Sequence, residues 1–326
     1  MEKNMYICTR EWLKNGMSVN RKKRNRPASW RWISLLWGIF FFVLILWVAY
    51  NRAPQIEKHL DTPFSVKEWL DEKIESVFPG SSRTEKPRFH VAAHYENLEI
   101  PAPFTDDRAD EVRCYAGYAL SYNNDWRLPN WVAYELLRSE LNARVPRRDD
   151  FRPDEGLKGG VQASLSDYRR SGFDRGHMAP AADMRWSATA MSESFYLTNI
   201  CPQTPSLNQG DWNRLEGKIR DWARRDSAVV IVCGPLVSVD DTTIGPNKVK
   251  VPRAFYKVVV SPYVDPPQGI GFVFENTFER RRLPLADYVV SIDSVEILTG
   301  IDFFPVLPDD IENFVESRYD TEYWNF

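Results

Sequence analysis

The sequence predicts an α+β domain on a largely antiparallel sheet over residues 88–326. Two observations carry this: short strand-like runs lie on both sides of a central helical stretch, and strand–helix–strand crossover units are too few for a doubly wound parallel sheet. The strand-like runs are CYAGYALSY at 114–122, NWVAYEL at 130–136, AVVIVCG at 228–234, AFYKVVVS at 254–261 and IGFVFEN at 270–276. Helical spacing shows near 187–195 and 211–225, with shorter stretches near the C-terminus. No internal repeat or low-complexity tract interrupts the pattern. At 326 residues and 43% hydrophobic content, the chain has enough apolar surface to bury a substantial core.

Ahead of that domain, residues 33–50 read ISLLWGIFFFVLILWVAY, an uncharged run about long enough to cross roughly 30 Å of hydrocarbon as a helix. Trp30, Trp32, Trp47 and Tyr50 stand where an interfacial aromatic belt belongs, and Arg21, Lys22, Lys23, Arg24, Arg26 and Arg31 precede the run. A cleaved signal peptide fits less well, because the run starts late, exceeds a usual h-region and lacks a clear small-residue cleavage site. The expected layout is a basic cytoplasmic segment at 1–32, a single transmembrane helix at 33–50, a stalk at 51–87 and the domain from 88. The stalk holds one short amphipathic stretch (Val66, Trp69, Leu70, Ile74, Val77) and then PGSSRTEKP. The positive-inside rule places the N-terminus in the cytoplasm and the domain outside it, in the periplasm if the source is Gram-negative.

Charge is divided along the chain. Residues 1–60 hold 11 Lys and Arg against 3 Asp and Glu, giving +8, while the remainder holds 31 against 42, giving −11. An acidic domain does not coat nucleic acid tightly, since phosphate neutralisation supplies most non-specific affinity, so any phosphate binding must be local. The four cysteines, Cys8, Cys114, Cys201 and Cys233, lack CxxC spacing, which leaves no zinc site and at most an unreadable disulfide pairing.

Two segments concentrate chemistry. GFDRGHMAP at 172–180 combines two glycines, an acid, an arginine and His177. A near-neutral histidine can take a proton from water, and the adjacent Arg175 can hold an anion. Taken alone, a histidine is more often a hydrogen-bonded structural group, and His59, His90 and His94 are read that way. The second segment, NICPQTPSLNQGDWNRLE at 199–216, reads as a loop entering a helix whose Trp212, Leu215, Ile219 and Trp222 form a core-facing stripe. Asn208 and Glu216 offer an amide oxygen and a carboxylate, hard ligands suited to Mg2+ or Ca2+. By itself Asn208 reads rather as an Asn-Gln-Gly turn residue, and Glu216 equally as a solvated helix carboxylate.

Together these segments resemble the DNA/RNA non-specific endonuclease family of ββα-metal (His-Me finger) nucleases. LPNWVAYEL at 128–136, DDFRPD at 149–154, YRRSGFDRGH from 168, ADMRW at 182–186 and LTGIDFFPVLP at 298–308 extend the likeness over roughly residues 90–310. The DRGH motif followed in order by PQ, LNQG, W and LE is its most specific part. The resemblance implies that His177 is the general base and Asn208 the sole direct protein ligand of a hydrated Mg2+, for which Mn2+ or another divalent cation can substitute. It implies that Glu216 orients metal-bound water, that Arg175 contacts the phosphate region and that Asn199 supports the site. A further upstream arginine would stabilise the pentavalent phosphate; Arg148 is the assignment, with Arg147 and Arg152 left open.

A membrane-anchored nuclease cutting both DNA and RNA to 5'-phosphorylated fragments follows as the expected function, because a water nucleophile needs no ribose 2'-hydroxyl. The expected partners are DNA and RNA as substrates, the membrane through residues 33–50, and a second copy in a homodimer. Arg169, Arg170, Arg185, Arg214, Lys218, Arg220, Arg224 and Arg225 are read either as a local phosphate track or as a solvated face. Two other classes stay in view: a hydrolase of another phosphodiester, and a catalytically silent nucleic-acid-binding domain.

Overall fold

The computed structural model describes residues 94–157, 161–279 and 283–326. The basic segment at 1–32, the apolar run at 33–50, the stalk at 51–87 and the domain start at 88 lie outside the described residues. Among the described residues, no helix is long and apolar enough to cross a membrane.

A seven-stranded sheet organises the domain. Its strands are β1 (Glu111–Cys114), β2 (Ala119–Asn123), β3 (Leu128–Leu137), β6 (Ala228–Leu236), β9 (Ala254–Ser261), β10 (Gln268–Glu275) and β11 (Val289–Val290), in that spatial order. Every pairing within it is antiparallel. The central strands β6 and β9 are buried along almost their whole length, so they read as unbroken Val-rich runs rather than alternating ones.

The run at 114–122, expected as one strand, is two. It folds back between β1 and β2 over residues 115–118, where the Tyr115 N–H donates to the Tyr118 carbonyl at 2.8 Å. Gly117 makes the bend against the Met184 side chain, whose sulfur lies 2.4 Å from where a Cβ would stand. Uniform apolarity across the turn concealed it from periodicity.

Two short antiparallel strands, β4 (Asp174–His177) and β5 (Ile200–Gln203), form a separate ladder with Gly176 opposite Cys201 and His177 opposite Ile200. After β5, residues Leu207–Trp212 make a widened turn broken at Gly210 (φ −103°, ψ −109°) and lead into the helix Asn213–Asp226. That helix begins two residues later than its periodicity suggests, because the broken turn precedes it. Among the described residues five further short helices lie earlier or later: Leu165–Tyr168, Ala188–Glu193, Ile292–Thr299, Asp309–Glu316 and Thr321–Trp324. In chain order these are α1 (Leu165–Tyr168), α2 (Ala188–Glu193), α3 (Asn213–Asp226), α4 (Ile292–Thr299), α5 (Asp309–Glu316) and α6 (Thr321–Trp324).

The predicted stripe of α3 is buried as expected: Leu215, Ile219 and Trp222 join the main core with Trp212. Trp222 stacks edge-on against Trp324 at 4.7 Å between ring centres and donates its indole N–H to the Trp324 carbonyl. The β4–β5 ladder is tied to the sheet at Met178, whose carbonyl accepts from the Cys233 thiol on β6 at 3.3 Å. Cys201 and Cys233 are both buried and free, so neither takes part in a disulfide.

Close strand packing at Gly234 yields the first prediction. A Cβ there would lie 2.6 Å from the Asn130 carbonyl and 2.7 Å from the Tyr256 hydroxyl, which itself donates to that carbonyl. Gly234→Ala is expected to destabilise the domain by about 1–3 kcal/mol, read as a lowered urea midpoint, because neighbouring backbone has to move.

Candidate active site

His177 ends β4 with its ring held between two phenylalanines. Ring centres are 5.3 Å from Phe151 and 4.9 Å from Phe195, the latter edge-on. Its Nε2 is buried with no hydrogen-bond partner, while its carbonyl accepts the Trp212 indole N–H at 3.2 Å. Burial, reinforced by the charges of Arg147 and Arg175 and opposed by Asp149, brings the imidazole pKa down to about 3. The ring is therefore neutral, able to accept a proton and short of anything to accept it from.

That depressed value carries a stability prediction. The unfolded chain protonates its histidine below the ordinary 6.5, whereas the folded chain does so only near 3, so the unfolded state binds more protons between these limits. Stability from this residue is complete above pH 6.5 and is lost as pH falls toward about 3. His177→Phe, which keeps an aromatic ring and removes the orphaned nitrogen, is expected to give a flatter decline of urea midpoint over that window. An unchanged slope would count against this assignment.

Beside the imidazole, a cleft of about 540 Å³ is lined by Arg147, Asp149, Phe151, Asp174, Arg175 and Asn208, with Leu165, Tyr168, Arg169 and Phe173 at its margin. The guanidinium of Arg175 lies 4.1 Å above the Phe151 ring, and that of Arg147 lies 5.0 Å above Phe195. Both cations are thus seated on the same two aromatic rings that enclose His177. Arg147 also pairs with Asp149 at 3.0 Å. Arg148 is exposed and is not among the lining residues. Arg152 points elsewhere: it pairs with Asp150, donates to the Ser192 carbonyl and hydroxyl, and stacks on Tyr196.

The broken turn presents Asn208 to this cleft. Its Nδ2 donates to Asp174 Oδ2 at 2.9 Å, and Gln209 Nε2 donates to the same oxygen at 2.8 Å. A carboxylate only accepts, so the amide nitrogen is committed and the Asn208 carbonyl oxygen is left to accept or to ligate a cation. One hard oxygen held in fixed orientation suits a Mg2+ that keeps most of its waters. Asp174, the acid of DRGH, was not singled out by sequence reasoning; its place directly across the ladder from the Asn208 loop shows only in the fold. Asp174→Ala is expected to release the amide and weaken divalent-cation affinity about 10–100-fold, measurable by Mn2+ titration.

Glu216, in the first turn of α3, has its carboxyl pKa raised to about 7, chiefly by burial; Lys257 and Arg220 oppose the rise and Asp183 adds to it. Lys257 on β9 is fully buried (0% exposed), with its Nζ 4.3 Å over the Trp212 ring. Arg220 pairs with Asp183 at 2.9 Å, and the Tyr134 hydroxyl donates to the same carboxylate at 2.9 Å. Sequence reasoning missed Lys257 and Asp183 because each sits in an otherwise ordinary strand or loop.

Asn199 is buried and fully engaged. Its Nδ2 donates to the Ala179 and Ser194 carbonyls at 2.9 and 2.8 Å, and its Oδ1 accepts from the Ala179 N–H at 2.9 Å. It clamps the chain immediately after His177 and is a positioning residue. Among the basic residues read as a track, only Arg169 lines the cleft. Arg214, Arg220, Arg224 and Arg225 are each paired with an aspartate, and Lys218 donates to the Asn325 carbonyl. Most of α3's positive charge is thereby locally neutralised.

Chemically, the cleft offers a hard amide oxygen and the guanidinium groups of Arg147, Arg169 and Arg175; the neutral imidazole of His177 does not itself line it but packs against its Phe151 wall, and the set together is suited to deprotonating water beside an anion. A model of the family described as DNA/RNA non-specific endonuclease matches residues 100–310. The human mitochondrial nuclease EXOG is 37% identical over 220 residues, covering 62% of this chain and 60% of EXOG. Human mitochondrial endonuclease G is 36% identical over 207 residues, covering 60% of this chain and 70% of that protein. A nuclease of Nostoc sp. is 37% identical over 214 residues, covering 62% and 76%. A solved structure of an EndoG/EndoGI complex superposes with a TM-score of 0.57 at 32% identity, covering 61% of this chain and 87% of that one. The matched part thus spans about 60% of the length of the EXOG relatives.

Proposed function

The chain belongs to the DNA/RNA non-specific endonuclease family, and from that premise we propose that it hydrolyses phosphodiester bonds of both DNA and RNA in the cleft beside β4. One observation carries the proposal: in the cleft whose Phe151 wall packs on the neutral His177 ring, Asp174 holds the amide nitrogen of Asn208 and leaves its oxygen for a cation. Asn208 would hold a Mg2+, or Mn2+ in its place, through that oxygen, and the ion when bound would supply charge stabilisation to the reacting phosphate.

His177 Nε2 accepts a proton from the attacking water. The water oxygen bonds to phosphorus, the P–O3' bond breaks, and the products carry a 5'-phosphate and a 3'-hydroxyl whose proton comes from solvent. Arg175 and Arg147 hold the non-bridging oxygens; Arg147 takes the role first assigned to Arg148, because its side chain lines the cleft. Glu216, whose carboxyl pKa burial raises to about 7, accepts hydrogen bonds from water at the head of α3 in its ionised form. Phe151 and Phe195 exclude bulk water from the imidazole. No group in this set needs the 2'-hydroxyl, which supports cleavage of either polymer.

Residues 33–50 anchor the chain in a membrane with the N-terminus cytoplasmic, on the strength of their length, aromatic flanks and preceding basic cluster. Retention of the chain in carbonate-washed membranes would agree, and its release would not.

The activity is tested with the full-length chain in mild detergent, supplied with supercoiled plasmid and total RNA in Mg2+ or in EDTA. Mg2+-dependent cutting of both polymers is the expected result. Cutting of a small phosphodiester but of neither polymer would replace the proposal with the other hydrolase reading, and no cutting of any diester by folded protein would replace it with the silent binding domain.

A further inference from the structure

We propose that Asp293, Glu296 and Glu316 form a second divalent-cation site, of the calcium class, that ties α4 to α5 on strand β10. Asp293 and Glu296 are three residues apart on α4 and therefore share one helical face, and Glu316 is the last residue of α5. Each offers one carboxylate oxygen, and these oxygens all lie within 4.8 Å of one another.

Carboxylate oxygens are the hard ligands that calcium takes, and two oxygens on one Ca2+ can stand up to about 5 Å apart, twice the bond length, so oxygens within 4.8 Å of one another can share one such ion without any movement of the helices.

Glu316 supplies the independent observation. The residue is 6% exposed, its Oε1 is buried without any hydrogen-bond partner, and one of its carboxylate oxygens lies within 4.8 Å of an oxygen of each of the other two residues. A buried carboxylate oxygen left without a donor is costly, and a cation satisfies it. Glu296 Oε1 already accepts the Phe303 N–H at 2.7 Å, which fixes that side chain and leaves its other oxygen for an ion. Among the described residues, no basic side chain pairs with any of the three. Burial and the neighbouring acids push the Glu296 carboxyl up to about 8 and that of Glu316 up to about 10, as expected where negative charge gathers without a counter-ion.

The place is separate from the cleft, which none of the three residues lines. Both helices pack against β10, so an ion here acts as a cross-link between the last helices and the sheet.

Thermal unfolding of the full-length chain, first stripped with chelator and then titrated with CaCl2, tests the proposal. The Asn208→Ala variant is used alongside the parent to remove the catalytic cation site from the reading. A saturable rise in Tm on the order of 5 °C is expected in both proteins. Glu316→Gln and Asp293→Asn, each made in the Asn208→Ala background, are expected to lose it. The partly buried Asp293 position decides the matter should the Glu316 variant not fold. No saturable rise in Asn208→Ala, or a rise that survives both substitutions, would overturn the proposal and leave the three carboxyls as a proton-sharing cluster.

Discussion

His177→Ala is expected to lower cleavage of plasmid DNA by about 10²–10⁴-fold while leaving divalent-cation affinity within a few-fold of the parent. The imidazole is neutral, and among the described residues its Nε2 has no hydrogen-bond partner, so that nitrogen is open to a water brought in with the substrate. The loss should fall on kcat rather than KM, since Arg147, Arg175 and Asn208 remain to bind the phosphate and its cation. His177→Phe should be equally inactive, and its orphaned polar atom removed, it should be no less stable than the parent. Rescue of His177→Ala by added imidazole would identify the base directly; a variant that cuts at the parental rate would mean that the cleft uses another base.

The second large effect separates ligand chemistry from ligand orientation. Carboxylates are ordinarily good Mg2+ ligands, so Asn208→Asp looks conservative on paper. The geometry predicts the opposite, because the Asn208 amide nitrogen donates to Asp174 at 2.9 Å and an aspartate there would set two anions face to face. Loss of activity on the order of 10²-fold is expected, combining a misdirected ligand with like-charge repulsion. Combining it with Asp174→Asn restores a donor opposite the new carboxylate and should recover activity above either single variant. Additive losses in the double variant, seen in the same cleavage assay, would show that the 174–208 pair is not the orienting contact.

Much of this arrangement is legible in the chain, and the illegible parts share a cause. β9 was readable to the residue, and the Trp212 to Trp222 stripe of α3 was readable from its spacing, because both signals are local. The sheet's antiparallel order followed from the sparsity of crossovers. The hairpin at 115–118 was hidden because its turn is as apolar as its strands. Asn208 and Glu216 were visible as ligand types, but the partner that orients Asn208 lies 34 residues away, and no periodicity reports such a pairing. The choice of Arg147 over Arg148 turns on which of two neighbouring side chains faces inward, a matter of loop conformation alone. The α4–α5 carboxylates fell outside any recognised motif and meet only through tertiary packing.

The buried Lys257 bears on how this chain can change over generations. Removing the ammonium alone would leave the buried Glu216 with only Arg220, already paired to Asp183, as a nearby cation, and removing Glu216 alone would strand the ammonium in the core beside Trp212. Either single step is costly, whereas apolar replacement of both is tolerated more readily by a packed interior. The two positions should therefore substitute together or not at all. A descendant that abandons catalysis would be free to exchange the pair at once, and a lineage retaining catalysis would be held to it, so that a lysine with no access to solvent becomes a marker of whether selection for the activity persists.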